Sequence, residues 1–154
     1  MIRHDEPWLD RTLRKTFDVV PMLTIPVAIY ALLAGMTSQT RGADLFTAEL
    51  EAGRWFLTLP SGAPWAVSGG DVLAVCGLLF LFFELTRGVG ASRLAIVHHT
   101  LAVLLTLGSI AAFLFVETFA TTTFLMLTLM CVLDMLGGII MNIADAEPGP
   151  GDDD

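Results

Sequence analysis

Four apolar runs organise the chain, separated by short polar intervals. Val19–Met36 carries no charge, Val72–Phe83 is apolar on every side through Leu78–Phe83, and Leu94–Val116 and Thr122–Ala144 are longer still. A helix rises 1.5 Å per residue, so roughly 20 apolar residues match a hydrocarbon core of ~30 Å. The second run is the shortest: from Asp71 to Arg87 a helix covers ~25 Å. The pattern predicts spans near 19–37, 71–89, 94–116 and 120–143, hence an all-α membrane protein with four transmembrane helices in a bundle. A signal peptide competes for the first run. Its leading region is long and acidic, and no small-x-small cleavage site follows, so a retained helix is expected. Pro26 should kink that helix or shorten its first turn.

The polar intervals divide the chain into a segment 1–18, a transmembrane domain 19–144 with a loop at 38–70, and a disordered acidic tail 145–154. Trp8 and Leu9 suit a short amphipathic start. Within the loop, Asp44 is placed to cap a short helix through about Ala52. Two short apolar runs, Trp55–Leu59 and Pro64–Ser68, then flank Pro60-Ser61-Gly62. They read either as a short β-hairpin or as an irregular loop on the membrane surface. Gly70-Asp71 is a helix start, because a carboxylate there accepts orphan N–H groups. Gly88–Ser92 and Glu117–Thr121 are tight connections.

Composition agrees with the pattern. Apolar residue types make up 55% of 154 residues, charged types 16%, and mean hydropathy is +0.72. Such a chain cannot give a soluble domain its polar surface. The net charge of −8 reflects the tail, where Asp145, Glu147 and Asp152–Asp154 cluster. Eight dispersed Lys and Arg form no positive stripe, which excludes nucleic acid as a partner. Their distribution sets topology: six lie in the N-terminal segment and the 87–93 turn, against Arg41 and Arg54 in the long loop. Basic residues stay on the cytoplasmic side, so both termini are expected there and the long loop outside. Trp55 and Trp65 then fall in the outer aromatic belt.

Few groups inside the spans could carry chemistry. Asp134 is the deepest, ~16 Å along the helix from Asp145 and near the midplane. An ionised carboxylate there costs at least ~2.5–3.5 kcal/mol, so it should be neutral or hydrogen-bonded and should face the bundle. A Thr or Tyr oxygen or a backbone carbonyl is the expected partner, with Thr24, Tyr30 and Thr106 at similar depth. The choice lies between a proton or cation relay and an acid that locks helix packing beside Gly137-Gly138. His98 and His99 point ~100° apart and cannot face one ligand. A Glu84–His99 pair fits their levels, with Arg87 at i+3 as the competing partner of Glu84. A haem with two axial histidines would need a second chain. Cys76 and Cys131 lack metal-ligand spacing and read as buried thiols. No catalytic, nucleotide-binding, cofactor or metal motif is present.

Several short motifs carry a likeness: Leu59-Pro60-Ser61-Gly62-Ala63-Pro64-Trp65, Gly70-Asp71-Val72-Leu73, Phe83-Glu84-Leu85-Thr86-Arg87, Ile96-Val97-His98-His99 and Val132-Leu133-Asp134. Through them residues 19–143 resemble a group of uncharacterised four-helix bacterial inner-membrane proteins. The resemblance implies a multi-pass protein of the bacterial inner (cytoplasmic) membrane, with a periplasmic loop at 38–70, and supplies no activity. Two features depart from it. His98 stands where an acid is more usual, and the tail is acidic where a basic end is common. Three functions compete. The first is a non-enzymatic accessory or assembly component, held by partner membrane subunits or as a homo-oligomer. The second is a small transporter or proton-conducting unit using Asp134 with Glu84 and His99. The third is a redox protein binding haem or quinone.

Overall fold

The computed structural model describes residues 20–87 and 93–146. The expectations for the N-terminal segment, the 88–92 turn and the end of the acidic tail lie outside the described residues. In chain order the elements are α1 (Thr24–Arg41), α2 (Ala43–Glu51), β1 (Gly53–Thr58), β2 (Pro64–Ser68), α3 (Gly69–Arg87), α4 (Arg93–Phe115), a 3-10 turn (Glu117–Phe119) and α5 (Thr122–Ala146).

Among the described residues, three helices are long and apolar enough to cross a membrane, over Gly69–Thr86, Ile96–Phe115 and Thr122–Ile140. The apolar part of α1, Thr24–Thr37, is shorter. Proline explains part of the difference from the expected 19–37 span. Pro21 precedes the helix, and the Thr24 N–H bonds its carbonyl at 3.0 Å. Pro26 then falls in the first turn, where a missing N–H leaves no interior helical bond broken. The helix therefore begins at Thr24 and continues into the polar sequence Ser38–Arg41.

The loop between α1 and α3 is ordered. Gly42, at φ 90°, caps α2, and Asp44 sits inside the first turn and makes no side-chain cap bond. That corrects the expected Asp44 cap: the chain reverses here through a left-handed backbone that favours glycine. The two apolar runs do form an antiparallel hairpin, with Trp55 opposite Val67, Leu57 opposite Trp65 and Thr58 opposite Pro64. Gly62, at φ 81°, closes its turn by donating to the Leu59 carbonyl at 2.8 Å. Strand β2 runs directly into α3. Ser68 and Asp71 form a reciprocal capping box: the Asp71 N–H donates to Ser68 Oγ at 3.1 Å, and the Ser68 N–H donates to Asp71 Oδ2 at 2.8 Å. The helix thus starts at Gly69, with Ser68 as the cap and Asp71 as its partner three residues on.

Helix α5 packs along both α3 and α4, while α1 leans on α3 and α5, and α2 on α1 and α3. Helices α3 and α5 run parallel, and small residues let them approach. A Cβ at Gly77 would stand 2.7 Å from Leu127 Cδ2, and one at Gly137 would stand 2.8 Å from Leu85 Cδ2. Gly70 likewise lies against Thr123. One core cluster joins Tyr30, Phe46, Leu73, Phe124 and Leu127, and a second joins Leu23, Leu81 and Cys131. The outward faces are apolar: Leu79, Phe82, Leu104, Leu114, Leu133 and Ile140 are all exposed. Apolar cover of that extent suits lipid as solvent and not water.

Candidate functional site

Glu84 sits near the end of α3 and His98 near the start of α4, both buried. The His98 Nε2 lies 3.0 Å from Glu84 Oε1. The second carboxylate oxygen, Oε2, accepts the Met22 backbone N–H at 2.7 Å. That N–H belongs to the turn leading into α1, where the first donors of a helix lack intrahelical partners. One carboxylate therefore satisfies a donor in the turn before α1 and fastens α4, while itself rooted in α3. Asp134 of α5 is buried within electrostatic reach of both Glu84 and His98. The three long apolar helices and the turn before α1 all contribute to this one layer.

Asp134 stands nearer one end of its apolar helix. It lies six residues, or ~9 Å, from the Ile140 end of the apolar stretch, level with groups near the ends of α3 and α4. At that same end α3 finishes and α4 begins. Two of the expected partners of Asp134, Thr106 and Tyr30, bond elsewhere. Thr106 donates instead to the Ala102 carbonyl at 2.8 Å and the Cys131 carbonyl at 3.0 Å, pinning α4 to α5 one turn away. Tyr30 lies toward the opposite end, where its hydroxyl donates to the Thr118 carbonyl at 2.9 Å and contacts Thr121 Oγ1 at 2.6 Å. There its ring packs on Phe46, Phe119 and Phe124.

The two histidines diverge as adjacent helical positions must. His98, and not His99, faces Glu84. The His99 ring lies directly over Gly138 of α5, in space that any Cβ there would fill. Glu84 thus takes His98 in place of the expected His99. Among the described residues, no set of three or more His, Cys, Asp or Glu side chains is arranged to hold a metal ion. Cys76 and Cys131 are both free thiols, Cys131 buried and Cys76 half-buried. No family model, no curated protein and no solved structure matches this chain. The resemblance noted from its short motifs therefore adds no activity, and the site stands on its geometry.

The sequence reading missed the Met22 N–H and the Cys131 carbonyl, which are backbone groups and leave no residue-type signal. It also missed that His98 is the inward histidine. A signal for that exists: His98, Ala102, Thr106 and Ser109 recur at helical spacing, and all four are buried. On α3, Gly70, Gly77 and Glu84 recur every seven residues and face the core together.

Proposed function

We propose that the chain is a four-span component of a bacterial inner membrane, without chemistry of its own, that acts as an accessory or assembly subunit. The observation that carries this reading is the use of Glu84. Both its oxygens are engaged within the chain, one by the Met22 N–H and one by His98. Thr106 and Tyr30 likewise bond from one element to another. Buried polar groups of this kind specify how helices fit together, which an accessory subunit needs before it can present a lipid-facing surface to partners. In this reading α1 is the fourth span and both termini are cytoplasmic, as the six basic residues against two favour. Cross-linking in intact membranes tests it: the chain should be captured with a second copy or with a defined membrane subunit, in fixed proportion. Capture as a monomer alone would overturn it.

A second reading has one specific observation in its favour. Glu84, His98 and Asp134 form a buried titratable layer touching every long helix, as a proton-conducting unit would need. Proton flux in liposomes decides. Wild-type flux that Asp134→Asn abolishes in a folded protein supports conduction, whereas no flux above empty vesicles supports the structural role.

A further inference from the structure

Beyond the buried layer, a cavity of ≈ 350 Å³ opens between α1, α2, α3 and the hairpin. Ile29, Leu33, Val72, Leu73 and Cys76 form its apolar walls, and Thr37, Glu49, Arg54 and Trp55 line it at the hairpin end. The lining has helical periodicity on both sides: Ile29, Leu33 and Thr37 on α1, with Gly69, Val72 and Cys76 on α3. Eight residues along α1 and seven along α3 give a groove ~10–12 Å deep. Its volume falls within the ~300–1,000 Å³ of sites that take small amphiphilic ligands.

The hairpin is shaped to put a cation at this mouth. Its register breaks between Gly53 and Trp55, leaving Arg54 as the extra residue of a bulge. Bulges re-aim side chains. Glycine at 53 allows it, since a Cβ there would lie 2.9 Å from the Ala66 Cβ. Glu49 already has a partner in the chain. No ion pair engages Arg54 among the described residues. The site thus offers a guanidinium and an indole above an apolar slot that faces the surroundings of the bundle. An indole suits the headgroup level of a bilayer, and a guanidinium suits a phosphate.

We propose that this groove binds a bilayer phospholipid with an anionic headgroup, its phosphate on Arg54 and one acyl chain between α1 and α3. Trp55 lines the groove and reports on it. The full chain carrying Trp8→Phe and Trp65→Phe is reconstituted in vesicles of phosphatidylcholine with either phosphatidylglycerol or further phosphatidylcholine brominated on the acyl chain. Brominated phosphatidylglycerol should quench Trp55 at about fivefold lower mole fraction, the effect of one guanidinium beside an anionic membrane. Arg54→Gln should remove that preference, and Val72→Phe, which fills the slot, should weaken quenching by both lipids. Native mass spectrometry of the otherwise unaltered protein should show a retained phosphatidylglycerol that Arg54→Gln loses. Equal quenching by the two lipids, or a preference unchanged in Arg54→Gln, would overturn the proposal.

Discussion

Glu84 joins three parts of the chain through buried polar contacts: the turn before α1, α3 and α4. Removing one partner from a buried, hydrogen-bonded pair typically costs ~3–5 kcal/mol, because the remaining group stays desolvated and unpaired. Glu84→Ala is expected to destabilise by about that amount, measured by reversible unfolding in mixed micelles. Glu84→Gln retains an acceptor for the Met22 N–H and should lose only ~1–2 kcal/mol. Equal losses in both variants would show that the bond from the Met22 N–H contributes little beside the contact with His98. A carboxylate and a histidine in apolar runs could be recognised from residue type alone. Their pairing needed the phase of α4, and the two histidines differ only in that phase. His98 shares a face with Ala102, Thr106 and Ser109, whereas His99 is aimed at Gly138.

Glycines at the element scale have opposite meanings that their surroundings decide. Gly77 of α3 packs against Leu127 and Met130 of α5, whereas nothing lies within 4 Å of a Cβ built on Gly108 of α4. Gly77→Val should therefore overpack the α3–α5 contact and cost ~1–3 kcal/mol. Gly108→Ala should stabilise α4 by ~0.5–1 kcal/mol, since only backbone freedom changes. Thermal unfolding of the two variants side by side checks the signs, and a shared sign would refute this account of the packing. The strand-to-helix junction is a third case. Ser68→Ala removes the cap of α3 and should cost ~1 kcal/mol. The hairpin was readable from its two apolar runs and its Pro-Ser-Gly turn. The start of α3 was read two residues late, because Ser68 lies in an apolar strand and Asp71 alone looks like a cap.

For the whole molecule, hydropathy foretold helices that suit a membrane, and the described residues hold three of full length with a shorter fourth apolar helix. Length and proline position made α1 the hardest to judge: its apolar run begins before its helix does. The topology proposed above is checked by labelling from the periplasmic side, with both native cysteines replaced by alanine. A cysteine at Ser61, in the hairpin turn, should react with an impermeant maleimide, and one at Gly90 should not. The reverse pattern would invert the protein in the membrane.

The bond between the Met22 N–H and Glu84 spans 62 residues, which bears on biosynthesis. At ~5–20 residues per second, translation needs about 3–12 s to supply Glu84 after Met22 has emerged. Until then the first apolar helix has no carboxylate to receive that N–H. A nascent chain arrested at Gly77 should leave this segment easily extracted by alkali, and one arrested beyond Ala112 should hold it fast. Because the donor is a backbone group, every residue except proline can provide it at position 22. The long-range link is thus insensitive to which of those side chains stands there, and a sequence comparison would not reveal it.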